Sequence, residues 1–194
     1  MIITIYRDRH LDVVDKPPGL PVVAGRDGGD CVADQVGLSV THRLDEGTSG
    51  CLVLARTPEA LSRVNGLFAA GKVEKTYLAV TEGPIDDQGS IDVPIGEWRR
   101  GRVTIGRGRH AHTEWTVRWR QGRRAGVVLR PTTGRTHQLR AHLSQIGAPI
   151  VGDPTYGGPR ADRLYLHAWR LRLPWDVPGG WLELEAPVPA GFDT

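Results

Sequence analysis

The stretch Thr41-His42-Arg43-Leu44-Asp45-Glu46-Gly47-Thr48-Ser49-Gly50 decides how the rest of this chain is read. An apolar lead-in, Leu38-Ser39-Val40, runs into it, and Cys51-Leu52-Val53-Leu54-Ala55 follows it with the pattern of a buried strand. Between them the glycines and the Thr-Ser pair force a loop. If Arg43-Leu44-Asp45 is extended, its side chains alternate, so Arg43 and Asp45 share one face and Leu44 points to the core. An ionised carboxylate then stands on a rigid edge. The plain alternative is a turn without chemistry, because Asp, Gly and Ser all favour turns through local hydrogen bonds.

Working outward, residues 2–7 alternate apolar and polar and residues 11–15 form a short apolar run, so both read as strands around an Arg9-His10 turn. Lys16-Pro17-Pro18-Gly19-Leu20-Pro21-Val22 is a stiff extended loop, since adjacent prolines forbid helix and central strand pairing. Residues 25–30 read as a flexible loop and 31–36 as a short helix. Downstream, Thr57-Pro58-Glu59 opens a helix as cap, first position and dipole partner; Leu61, Val64, Leu67 and Phe68 give its core face, and Gly71 stops it. Residues 74–80 read as a strand with Lys75, Tyr77 and Ala79 on one side. Residues 89–95 and 112–120 are further strands, the latter with Trp115, Val117 and Trp119 on one face; 121–124 turns it into a partner strand at 125–129. Thr136 is the expected cap of a helix to about Ile146, ended by Gly147. On that helix Leu139, Leu143 and Ile146 share one face, and His137 and Arg140 another. Its N-terminus behind Gly134 offers backbone N–H groups to an anion. Residues 181–185 are a terminal strand.

At 194 residues the chain suits one domain or a compact pair of lobes. With 39% hydrophobic and 24% charged residues it has the balance of a folded soluble protein, not of a disordered one. No apolar run reaches a membrane span and the first residues lack a signal-peptide pattern, so a cytoplasmic location is expected. Cys31 and Cys51 form no C-x-x-C, which suits unpaired thiols in a reducing compartment. Net charge is +3 and the pI about 9.1, with Lys16, Lys72 and Lys75 the only lysines. Arg suits forked phosphate contacts and stacking on bases. Arg99, Arg100, Arg102, Arg107, Arg109 and His110 cluster, followed by Arg118, Arg120, Arg123 and Arg124, a pattern of phosphate-binding faces and also of ordinary solvated hairpins.

His42-Arg43-Leu44-Asp45-x-x-Thr48-Ser49-Gly50 resembles the active-site motif of the RluA-type pseudouridine synthases. Three further stretches resemble that family in its order: Lys75-Thr76-Tyr77-Leu78-Ala79, Gly134-Arg135-Thr136-His137-Gln138-Leu139-Arg140-x-His142-Leu143 with its extension to Gly157, and Leu164-Tyr165-Leu166-His167-Ala168. Upstream, Lys16-Pro17-x-Gly19-Leu20 is similar to the family's Lys-Pro-x-Gly-Leu. The resemblance implies an α+β fold: a single catalytic domain, residues 1–194, with a mixed, mainly antiparallel sheet flanked by helices and loops around a central RNA-binding cleft. No RNA-binding module at the N-terminus is expected. The resemblance further implies an RNA pseudouridine synthase with no cofactor and no metal, acting as a monomer on structured rRNA or tRNA. Asp45 is then the catalytic carboxylate, Tyr77 lies against the target uracil, and Arg140 is the cation that partners Asp45. Arg43 meets the RNA backbone or fills the space of the displaced base, Arg135 serves phosphate, and Leu166 gives an apolar contact to the flipped base.

Other chemistries fit poorly. His137 and His142 are five apart, which splays them on a helix, and there is no H-E-x-x-H for a metal hydrolase. Thr48-Ser49-Gly50 does not supply the G-x-S-x-G of a serine hydrolase. The alternative from another class is a non-catalytic RNA-binding or RNA-folding module, which the Arg stripes fit equally well. A pure binder has no need to assemble Asp45, Tyr77 and Arg140.

Overall fold

The computed structural model describes residues 2–25, 28–99 and 101–192; Arg26 and Asp27 of the expected 25–30 loop, and Arg100 of the basic cluster, lie outside the described residues. In chain order the elements are β1 (Ile3–Arg7), β2 (Leu11–Lys16), α1 (Val32–Val36), β3 (Ser39–Val40), β4 (Ser49–Ala55), α2 (Pro58–Ala69), β5 (Glu74–Glu82) and β6 (Gln88–Asp92). Then follow β7 (Ile95–Arg99), β8 (Arg102–Ile105), β9 (His112–Gln121), β10 (Arg124–Pro131), α3 (Gln138–Gln145), a 3-10 turn at Pro154–Tyr156, β11 (Leu166–Pro174) and β12 (Trp181–Glu185). The fold is α+β, strand-rich with few helices, as expected. Contacts divide the chain into two units, Met1–Lys75 with Ala168–Pro187 and Thr76–His167 with Val188–Thr194.

In the first unit β2 pairs antiparallel with both β1 and β4, and β3 adds a short ladder at the end of β4, with Val40 opposite Leu54. Every residue of β4 is buried, which is why its sequence is an unbroken apolar run rather than an alternating one. Leu11, Val13, Cys51, Val53, Val64, Leu171 and Leu173 form the core, and Leu61, Leu67 and Phe68 of α2 pack on it. Each fully buried Val or Leu contributes roughly 1.5–3 kcal/mol. The Thr57 hydroxyl accepts from the Ala60 N–H and Pro58 opens α2, as the sequence indicates. Gly50 has φ 109°, and a Cβ there would overlap the Ala168 carbonyl, so the Thr-Ser-Gly sequence ends in glycine to let β4 approach β11.

In the second unit β10 pairs antiparallel with β5 and β9, and β9 with β6. Tyr77 stands opposite Leu129, and Gly122-Arg123 makes the β9–β10 turn. The core holds Ala79, Trp115, Val127, Leu129, Leu139, Leu143, Ile150 and Leu166, with Ile146 packed against it.

Two local expectations do not hold. The single strand at 89–95 is two strands, β6 and β7, separated by Val93-Pro94: proline has no N–H to continue the ladder. β7 pairs instead with β8, in a hairpin that the sequence shows only as part of a basic cluster. The third helix starts at Gln138, not behind a Thr136 cap; its N-cap is His137, a non-glycine residue at φ 53°.

Candidate active site

Asp45 sits in the first unit on a loop gripped at the backbone on both sides. Before it, the Thr41 hydroxyl donates to the Val53 carbonyl (2.6 Å) and the Val53 N–H donates to His42 Nε2 (3.0 Å). Two successive side chains thus replace a strand partner along β4. An acceptor Nε2 means a neutral ring, and burial, then the Lys75 charge, push the His42 pKa down to about 3. The ring also lies 4.6 Å from that of Phe68 on α2. After Asp45, the Thr48 N–H donates to the Asp45 carbonyl (3.0 Å) and closes a turn. The Glu46 carbonyl accepts from the Gly19 N–H and from Lys16 Nζ, each at 2.9 Å.

Lys16 is the hub of this arrangement. It is fully buried, and its ammonium also donates to the carbonyls of Pro17 (2.8 Å) and Leu20 (2.7 Å). A buried ammonium is tolerated where its donors are satisfied. The Pro-Pro loop and the Asp45 loop are therefore tied to one cation. Leu44 is buried between exposed Arg43 and half-buried Asp45, so the expected alternation holds without a ladder. Cys51 is pushed up to about 12, first by burial and then by Asp15, which keeps it a thiol.

The other expected site residues lie in the second unit. Tyr77 is half-buried and packs on the core that contains Leu166, so these two are brought into one apolar cluster. Arg140 forms a forked pair with buried Asp153, Nε to Oδ2 at 2.6 Å and Nη2 to Oδ1 at 2.8 Å. Its Nη1 lies 3.0 Å from His137 Nε2, and its guanidinium 5.1 Å from the centre of the Tyr156 ring. Around His137, in its left-handed conformation, Trp98 meets the ring edge-on at 4.5 Å, Tyr156 Oη lies 3.1 Å from Nδ1, and Arg140 Nη1 lies 3.0 Å from Nε2. Arg135 is half-buried, its Nε donating to the His110 carbonyl (2.9 Å). The Arg135 N–H, expected to be open to an anion, donates to Gln138 Oε1 (3.0 Å).

Lys16, His42, Gln138, Asp153 and Tyr156 escape a reading by residue pattern. One signal was present: Lys16 is among only three lysines and directly precedes Pro-Pro. The other four show their roles only through partners brought near by folding.

A family model described as RNA pseudouridylate synthase matches residues 10–145. The dual-specificity RNA pseudouridine synthase RluA of Escherichia coli is 36% identical, over 96% of this chain and 93% of its own. The ribosomal large subunit pseudouridine synthase D of Pseudomonas aeruginosa is 34% identical, over 97% of this chain and 68% of its own. Among solved structures, human RNA pseudouridylate synthase domain containing 4 matches with a TM-score of 0.82 and 29% identity, over 98% of this chain and 90% of that one. The chain belongs to the RluA-type RNA pseudouridine synthases, isomerases that act on RNA.

Proposed function

We propose that this chain converts specific uridines of structured RNA, ribosomal or transfer, to pseudouridine, with Asp45 as the essential carboxylate. The observation that carries the reading is the Asp45 loop itself: the backbone is fixed at Thr41-His42 on one side and at Glu46 on the other, while the carboxylate side chain is left half-buried. A group that must meet a reacting atom needs that kind of pre-set position. A relative named for the ribosomal large subunit supports rRNA as a substrate class.

The reaction breaks the bond between ribose C1′ and uracil N1, rotates the base, forms C1′–C5, releases the C5 proton to water and takes a proton up at N1. Product and substrate are isomers and no electrons are exchanged, so neither metal nor cofactor has a part in this reading. Tyr77 and Leu166 hold the extruded uracil between apolar surfaces. Arg140, locked on Asp153, carries the positive charge of the centre. Arg43 meets the backbone or occupies the space of the displaced base, and Arg135 meets phosphate. Extrusion costs a few kcal/mol and least in loops, which favours structured RNA with splayed bases. The chain acts as a monomer in the cytoplasm in this reading.

The test uses rRNA fragments and tRNA transcripts carrying tritium at uridine C5. Wild-type protein is expected to release tritium to water from at least one of them, and Asp45→Ala from none. Binding without release by wild type across both RNA classes would contradict the proposal in favour of an RNA-binding module.

A further inference from the structure

We propose that Arg109 and Arg135 form a clamp for one phosphodiester of the bound RNA strand, in a groove of the second unit between the β7–β8 hairpin and the loop before α3. The inference rests on the RNA-modifying function proposed above and deepens it. The groove has a volume of about 480 Å³ and is lined by Gly96, Glu97, Gly108, Arg109 and Arg135 among others.

Both guanidinia are mounted on fixed backbone. Ile95 and Arg109 exchange two N–H to carbonyl bonds, each 3.0 Å. A Cβ on Gly108 would overlap the backbone of Gly96 and the Ile95 carbonyl, and a Cβ on Gly96 would overlap Thr104 Oγ1 and the Arg107 carbonyl. Glycine at both positions is what lets the segment carrying Arg109 lie flat on the hairpin stem. Arg135 is held at Nε by the His110 carbonyl and at its N–H by Gln138. Gln138 is itself buried, accepting from the Thr133 hydroxyl (2.8 Å) and donating to the His112 carbonyl (2.9 Å) and Thr113 Oγ1 (3.0 Å).

The charge balance of the groove is unfinished. Among the described residues neither Arg109 nor Arg135 has a carboxylate partner, and the Nη donors of Arg135 make no hydrogen bond. Glu97 also lines the groove, but it brings one negative charge against two guanidinia, and Arg99 engages its Oε2 with Nε (3.2 Å) and Nη2 (2.8 Å). Burial first, and then the charge of Arg109, lowers the Arg135 pKa. Two like charges kept together on a rigid frame are stabilised by an anion between them, and a phosphodiester offers two acceptor oxygens to two forks.

The experiment measures binding of a fluorescein-labelled tRNA transcript, and of a labelled rRNA hairpin, by the full chain between about 50 and 300 mM KCl. Removing one phosphate contact lowers the slope of log K against log salt by about 0.7–0.9. Arg109→Gln and Arg135→Gln are each expected to lower it by less than that step, and the double variant by one step, because both side chains serve one phosphate. The Lys variants at both positions should keep the slope while weakening binding, and Arg63→Gln, whose guanidinium pairs with Asp176 in the first unit, should change nothing. Inorganic phosphate at constant ionic strength should compete poorly, since a free anion lacks the strand that positions it. An unchanged slope in the folded double variant would overturn the clamp, and a fall of about two steps would replace it with two separate contacts. Equal competition by inorganic phosphate would also overturn the assignment to RNA. Failure of wild type to bind or convert either RNA would sink the proposed function itself, which separates the two failures.

Discussion

The loop that carries Asp45 and the helix that carries Arg140 hold their charged groups by opposite means. Around Asp45 each fixing bond ends on backbone: the Thr41 and His42 side chains on Val53, the Gly19 N–H and Lys16 ammonium on the Glu46 carbonyl, the Thr48 N–H on the Asp45 carbonyl. Around Arg140 they run between side chains, through the Asp153 fork, the His137 ring and Tyr156, and His137 sits in a conformation that non-glycine residues rarely adopt. The first arrangement sets where a side chain starts. The second fixes the far end of one through other side chains, so it depends on ionisation and on each partner.

Breaking the first arrangement at its hub has the largest expected effect. Lys16→Met removes the donors to the Pro17, Leu20 and Glu46 carbonyls and should cost about 3–5 kcal/mol of stability, read as a shift in the urea midpoint. A loss under about 1 kcal/mol would mean that the loop does not rely on that ammonium. Next comes the side-chain arrangement. Asp153→Asn replaces the charged half of the fork by a neutral amide, for an expected cost of about 2–4 kcal/mol and a marked fall in kcat/KM. Unchanged kcat/KM in the folded variant would separate the fork from activity.

Acid sharpens the contrast. His42 has a folded pKa of about 3, below its ordinary 6.5, so the unfolded chain binds the extra proton first. Its contribution is fully present above pH 6.5 and is lost as pH falls from there toward 3. Between pH 7 and pH 5 that amounts to about 2 kcal/mol. His42→Gln, which keeps an acceptor but does not titrate, should flatten this part of the curve; an equally steep curve would place the acid sensitivity elsewhere. Smallest is Thr41→Val, which removes one hydroxyl bond to the Val53 carbonyl and should cost about 1 kcal/mol, measured by thermal unfolding.

What was legible in the sequence follows from where each element draws its stability. The buried run of β4, the capped helix α2 and the β9–β10 hairpin carry their signals locally, and they stand where the residues indicate. β7 and β8 were hidden because they are short and Arg-rich and because their apolar residues Ile95 and Val103 bury against Tyr156, some fifty residues on. His137 as a helix cap was hidden for the same kind of reason: its contacts with Trp98 and Tyr156 are made only in the folded chain. Lys16 reads as the start of a stiff loop, whereas it closes β2 and is bonded to the Glu46 carbonyl. Asp45 stood out through the family's motif, whereas the bonds that fix its loop belong to the tertiary structure.

A backbone-held carboxylate at Asp45 should be required for the isomerisation and not for RNA binding. Single-turnover tritium release with Asp45→Asn at saturating RNA tests this most directly, with RNA binding measured on the same preparation. Binding close to that of wild type is expected, together with release reduced by at least about 10⁴-fold, the loss that follows when a group that forms or breaks bonds is removed. Release within about tenfold of wild type would contradict a catalytic Asp45.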